Sequence, residues 1–240
     1  MEAVFIVLSI VFIMLDCLFL FDLPMLAFNV KKATMKNSKN KALKLAIEAL
    51  KRTDEAIQKF VSQETLPEPL DCEPGCHYCC YNLPVVTPPE VLLIGYHVEG
   101  NFSDREKQEL TDRTKKILDQ TTDKQPDEIA MMRHELPCIF LRKGMCMVYQ
   151  IRPVVCRTCS STSAEHCKAI FESRNHRARL RCYLHIREIF HTVQNDLVNS
   201  CKKMGFQSDL SFLAAAINDY FKHPRPIEAW LRGETVFDIG

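Results

Sequence analysis

The chain has 240 residues, of which 47% are hydrophobic and 25% charged, and its formal net charge is +1. These values suit an ordinary globular protein long enough for one domain and an appendage. They give no reason to expect nucleic acid as a partner, because no aromatic residues are interleaved with basic ones in the manner that reads bases. Only seven glycines argue against a fold built from many tight turns and favour helices.

Residues 3–21 are almost wholly apolar, interrupted by Ser9 and Asp16, which is about the length that spans a bilayer. The run makes a poor signal peptide: Glu2 stands where a positive charge belongs, and no small-x-small cleavage pattern follows. Two readings stay open. In the first, residues 1–34 hold a membrane anchor. Lys31, Lys32, Lys36, Lys39, Lys41 and Lys44 then keep the rest of the chain in the cytoplasm, tethered to the inner membrane. Asp16 weighs against it, costing about 2.5–3.5 kcal/mol at a membrane centre. In the second, translation starts at Met35 and residues 1–34 are a mis-assigned start. Under both, the cysteines sit in a reducing compartment, where paired thiols hold metal more often than they form disulfides.

Residues 35–69 read as an amphipathic helix and a linker. Leu43, Ala46, Ile47, Leu50, Ile57, Phe60 and Val61 recur at helical spacing opposite a charged face, and Pro67 and Pro69 close the pattern. A cysteine-cluster domain follows over 70–160. Its first block, Cys72-Glu-Pro-Gly-Cys76-His-Tyr-Cys79-Cys80, places four thiols in nine residues around a Pro-Gly turn. No apolar core needs that pattern, whereas a bent loop lets sulfurs converge on a soft metal ion. Next, residues 82–86 read as extended. Thr87-Pro-Pro-Glu90 is a capping box that launches a helix stopping at Gly100. Ser103-Asp-Arg-Glu106 repeats the device for a charged helix to about Gln120, with a thin stripe of Leu110, Ile117 and Leu118. Gln125-Pro-Asp-Glu starts a shorter one toward Glu135.

The second block runs from Cys138 to Cys159. Ile139–Leu141 and Met145–Tyr149 flank Arg142-Lys143-Gly144, a small hairpin with glycine at the turn, and carry Cys138 and Cys146. Arg152-Pro153 opens a short helix bearing Cys156. Residues 161–240 read as helices packing on this domain. One runs from about Asn175 to Lys203 through Leu180, Leu184, Val193, Leu197, Val198 and Cys201. Another, capped by Ser208-Asp209, spans Leu210 to Phe221, and a last short one holds Trp230 as a packing anchor. Cys182 and Cys201 fall at buried helical positions, and Tyr149 reads as core. Arg181 with His185, and Arg187 with His191, lie one helical turn apart and form a basic face. The fold class expected is mainly α with a small β-hairpin, its helices packed around a cysteine-rich metal site.

Eight of the twelve cysteines fall in the two blocks, which favours metal over a disulfide framework in an exported protein. Cys76-x-x-Cys79 with Cys156-x-x-Cys159 supplies two chelating pairs, as in a closed tetrahedral zinc site. Cys72-x-x-x-Cys76-x-Tyr78-Cys79 has instead the spacing that holds an iron–sulfur cluster in radical enzymes, but no βαβ alternation or Gly-Gly-Glu follows. Arg142, Lys143, Arg152 and Arg157 stand where they could offset thiolate charge. His77 reads as a ligand or as a hydrogen-bond donor behind one.

Taken together the blocks resemble the YkgJ-type cysteine-cluster proteins, the zinc- or iron-chelating CxxCxxCC family. The resemblance rests on Gly75-Cys76-His-Tyr-Cys79-Cys80, Thr87-Pro-Pro-Glu90, Pro137-Cys138-Ile-Phe-Leu, Gly144-x-Cys146-x-Val-Tyr149 and Arg152-Pro153-x-x-Cys156-Arg157. It implies Cys76, Cys79, Cys80, Cys138, Cys146 and Cys156 as ligands, with Cys72 leading the first block. Cys159 departs from the family pattern and adds a ligand or a free thiol; Cys167 is a weaker candidate. Cofactor identity stays between zinc and an iron–sulfur cluster. Function reads as metal binding, with an iron–sulfur-dependent oxidoreductase or methyl-transfer enzyme as the alternative. The latter draws on a distant likeness of such proteins to flagellin lysine methylases that carries no residues. Metal ions are the expected partners, a membrane enters only through residues 3–21, and no protein partner is legible.

Overall fold

The computed structural model describes residues 39–238 apart from 74, 176 and 177, with the side chains of 39 and 40 left aside. The described residues form one compact unit, and the apolar run 3–21 lies outside them. Among the described residues no helix is long and apolar enough to cross a membrane. The chain runs α1 (Lys39–Gln63), a 3₁₀ turn at Tyr78–Tyr81, β1 (Val85–Val86), α2 (Pro88–Asn101), α3 (Asp104–Thr121) and α4 (Pro126–Met132). A 3₁₀ turn (Arg133–Glu135) leads to β2 (Leu141–Arg142), β3 (Met145–Cys146), a further 3₁₀ turn (Tyr149–Ile151) and α5 (Val154–Arg157). Then come α6 (Ala164–Glu172), α7 (Leu184–Lys203), β4 (Ser211–Phe212), α8 (Leu213–Lys222) and α9 (Pro226–Leu231). The architecture is mainly helical, with two small two-stranded sheets.

Helix α1 buries Ala42, Leu43, Ala46, Ala49, Leu50 and Thr53, a stripe at i, i+3, i+4 and i+7. Two members of the expected stripe are corrected: Ile47 is 47% and Val61 42% exposed. Alanines take the contact instead, and their small side chains let α1 lie close against α2 and α7. Helix α2 is buried nearly all round, from Pro88 to Gly95 and again at Val98, because α1 packs on one side and α8 on another. Gly95 is needed there: a Cβ would stand 2.6 Å from ring carbons of Tyr220 on α8. The capping box is formed, with Glu90 Oε2 accepting from the Thr87 N–H at 2.8 Å and its hydroxyl at 2.7 Å. The helix passes Gly100 and ends one residue later. Helix α3 is capped as expected by Ser103 and Glu106, and Leu110, Thr114 and Ile117 seat it on α8.

Three expectations fail locally. The helix read from Asn175 begins only at Leu184, which is 70% exposed. Upstream, the backbone is held by other segments: the Thr162 N–H donates to the Arg181 carbonyl at 3.0 Å, and the Tyr183 hydroxyl bridges to the Glu68 backbone. Arg181 and His185 are therefore not one helical turn apart, and Cys182 lies half-buried outside any helix. The helix read from Leu210 begins at Leu213, because Ser211 and Phe212 pair antiparallel with Val86 and Val85. Helix α6, capped by the Ser163 hydroxyl accepting from the His166 N–H at 3.0 Å, has no counterpart in the sequence reading. Cys201 is fully buried, as expected. Trp230 is too: its Nε1–H donates to the Gln207 carbonyl at 2.9 Å. The Gln207 side chain in turn accepts from the N–H groups of Val236 and Phe237.

Candidate metal centre

The first cysteine loop is shaped by its backbone. Gly75 adopts φ +96°, which glycine alone takes without strain, and the Cys76 N–H turns back to the Glu73 carbonyl at 3.0 Å. Cys79 and Cys80 sit in the 3₁₀ turn closed by Cys80 N–H to His77 O at 2.9 Å and Asn82 N–H to Cys79 O at 3.1 Å. The second block meets this turn directly: the Cys138 N–H donates to the Cys80 carbonyl at 2.7 Å. Ile139 and Phe140 form a tight turn rather than a strand, with Leu141 N–H bonded to Cys138 O at 2.8 Å. In the hairpin Leu141 faces Cys146 and Arg142 faces Met145. Its two-residue turn has Lys143 at φ 50° and Gly144 at φ 77°, the both-positive pattern that matches strand twist.

Helix α5 brings in Cys156, and Glu90 holds it. Having capped α2 with one carboxylate oxygen, Glu90 accepts the Val154 N–H on the other at 2.8 Å. A buried carboxylate thus caps one helix and receives the first turn of a second. Burial pushes its carboxyl up, against the bonds from Thr87 and Val154 and the nearby Arg157 charge. Cys72 lies against Ser161, whose N–H donates to its Sγ at 3.2 Å. Asp71 flanks it, taking the Ala164 N–H at the start of α6 at 2.7 Å.

All eleven cysteines among the described residues are free thiols. Cys79 is central: it is within hydrogen-bonding reach of Cys159 and Cys80. Cys80 senses Cys138 and Cys146 as well as Cys79, and Cys156 senses Cys138, Cys79 and Cys146. Cys72 and Cys76 sense each other's side of the loop, Cys79, and Cys167 on α6. Cys167, the weaker candidate, is therefore on the Cys72–Cys76 side. Among the described residues, however, no three His, Cys, Asp or Glu side chains are already arranged to hold a metal ion.

The thiols are electrostatically frustrated. Burial pushes Cys138 up to about 12, with Cys146 adding to it. Burial also raises Cys146 and Cys156. Cys80 and Cys159 are raised by their bonds to Cys79 and then by burial. Cys79 goes the other way, held well below the thiol range by hydrogen bonds from Cys159 and Cys80 and by the Arg152 charge. Of the four basic residues expected to offset thiolate charge, Arg152 acts on Cys79 and Cys146. Arg142 pairs with Glu106 at 3.3 Å and Glu109 at 3.8 Å. Lys143 is exposed on the hairpin turn, and Arg157 bonds Asp54 and the carbonyls of Gln150 and Arg152. Arg113 was not read from the sequence, yet its charge reaches Cys138 while it donates to the Leu141 carbonyl at 3.1 Å. Its only sequence signal is its place on the same helix as Leu110 and Ile117.

His77 Nδ1 donates to the Gly75 carbonyl at 3.0 Å, which leaves the lone pair on Nε2. Tyr149 is not core: it is 45% exposed, with the Arg152 guanidinium 3.9 Å from its ring centre. The donor set itself fits a thiophilic ion. Soft sulfurs from both blocks influence one another electrostatically, and the Arg152 and Arg113 charges reach them.

Comparison with known proteins agrees with this chemistry. No curated protein and no solved structure matches the chain. Residues 71–177 match the CxxCxxCC family, described as “Putative zinc- or iron-chelating domain”. That stretch holds every cysteine of both blocks together with Glu90, Arg113 and Cys167, and the match is to the family that the sequence blocks resemble.

Proposed function

We propose that the protein chelates zinc or iron through thiolates of the two blocks, with Cys79, Cys80, Cys138, Cys146, Cys156 and Cys159 as the inner donors and Cys72 and Cys76 beside them. The observation that carries this reading is the Cys138–Cys80 backbone bond, which sets the blocks side by side. A bound cation supplies the counter-charge that lets buried thiols give up their protons. Arg152 and Arg113 reduce the net negative charge that results. Eight thiols exceed the four that one zinc takes, which favours two ions or a polynuclear centre.

A second reading, an iron–sulfur-dependent enzyme, draws on a cavity of about 280 Å³ lined by Leu83, Ile117, Ile129, Cys138 and Leu213. A centre held partly by Cys138 would border a space sized for a small apolar substrate. Purification of the full chain without oxygen, with metal and acid-labile sulfide analysis and a visible spectrum, separates the readings. Colourless protein with zinc supports chelation in a closed site, and brown protein with iron and sulfide supports the second. Metal-free protein that fails to take up zinc or iron overturns both.

A further inference from the structure

Residues 173–187 contain five arginines and no acidic residue, in a chain whose net charge is only +1. The segment before α7 belongs to no helix and no sheet, yet its burial alternates. Ala178, Leu180 and Cys182 are half-buried while Arg179 and Arg181 are exposed, a two-residue alternation. One edge is bound to the protein: the Arg181 carbonyl accepts from Thr162 N–H at 3.0 Å, and the Arg179 carbonyl from His166 Nε2–H at 3.2 Å. Among the described residues no hydrogen bond reaches the N–H or C=O of Leu180 or Cys182. In an extended chain these point to the opposite edge. No carboxylate of the described residues pairs with Arg174, Arg179 or Arg181. The adjoining cleft is lined by Pro67, Glu68, Thr162, Arg181, Cys182 and Tyr183, with Glu68 as its one acid beside Arg181.

We propose that residues 178–183 are a docking edge for an acidic peptide in extended form, which pairs its backbone with Leu180 and Cys182 and its carboxylates with Arg179 and Arg181. Alternate side chains of such a peptide repeat every ~6.6 Å, the same repeat as the two arginines. The main-chain pairing gives affinity and the charges give register. A nucleic acid or a lipid surface would use the charges and leave the open N–H and C=O groups unpaired, so an acidic peptide fits more of what the edge offers.

The test uses the full chain and fluorescein-labelled probes in anisotropy titrations. The probes are an alternating Val–Glu octapeptide, a block peptide of the same composition, and the alternating peptide N-methylated at every second residue. A uridine octanucleotide and vesicles with one-third phosphatidylserine complete the set. The alternating peptide is expected to bind, about tenfold more weakly to the Arg179→Ala/Arg181→Ala variant and about as weakly when N-methylated. Both arginines are exposed, so the variant keeps its thermal transition, which is checked. No binding, equal binding of the block or N-methylated peptide, or tighter binding of the oligonucleotide or vesicles would overturn the proposal.

Discussion

The backbone bond from Cys138 N–H to the Cys80 carbonyl, 2.7 Å long, joins two cysteine blocks that the sequence keeps far apart. The joint is made by main chain, so the thiols on either side stay available as donors. Replacing one thiol should therefore affect metal and leave the fold largely intact. For Cys138→Ala we expect zinc or iron affinity to fall by more than the 10–100-fold that loss of an outer-sphere partner costs. Cys201→Ala, remote on α7 and fully buried, should leave metal content unchanged. Competition with a chromophoric chelator measures both.

Proton balance gives a second expectation. Cys138, Cys146 and Cys156 are all raised by burial, so without metal they hold their protons at neutral pH. Binding must release those protons, and affinity should rise with pH. Calorimetric titration of zinc into metal-depleted protein, in two buffers of different ionisation enthalpy, counts them. A count of zero would mean these thiols do not ligate.

Glu90 concentrates stability. Glu90→Ala strands the N–H groups of Thr87 and Val154 in the interior, and at about 1–3 kcal/mol for each buried unsatisfied group the loss should be about 3 kcal/mol in urea unfolding. The native carboxyl is raised, so the folded state binds its proton more tightly than the unfolded state does. Its contribution is complete below the ordinary carboxyl value of 4.5 and declines as pH rises through the higher folded value. Stability of the wild type relative to Glu90→Gln should fall over that window, and the gap should be flat if Glu90 does not titrate there.

The crossing of α2 and α8 is set by Gly95 against the Tyr220 ring. Gly95→Ala should destabilise by about 1–3 kcal/mol through overpacking. Combined with Tyr220→Leu, which opens space, the cost of the added methyl should shrink. A double-mutant cycle by thermal or urea unfolding reports the coupling.

Sequence alone locates elements whose signals are local. The paired capping residues at Thr87/Glu90 and Ser103/Glu106 start α2 and α3 where expected, and Gly144 turns the hairpin. It misses those decided by distant partners. Leu180 fits a helical stripe, but Thr162 and Glu68 hold its neighbours; Ser208-Asp209 resembles a cap, but Val85 and Val86 draw Ser211 and Phe212 into a sheet. The cysteine blocks are legible because their clustering has no packing use. Arg113 is not, since nothing in its own helix marks it as facing Cys138, and Tyr149 misleads because an aromatic beside a hairpin reads as core until Arg152 stacks on its outer face.

Helix α2 also bears on where the family's stretch can be cut from the chain. Its partners α1 and α8 both lie beyond 71–177, and Arg157 inside that stretch reaches Asp54 on α1. Residues 71–177 thus share their interior with helices outside that stretch and are not a transplantable module. Expressed as residues 71–177 alone, it would present Leu92, Leu93 and Ile94 to water, and a fusion or truncation meant to borrow its cysteines has to bring the flanking helices along.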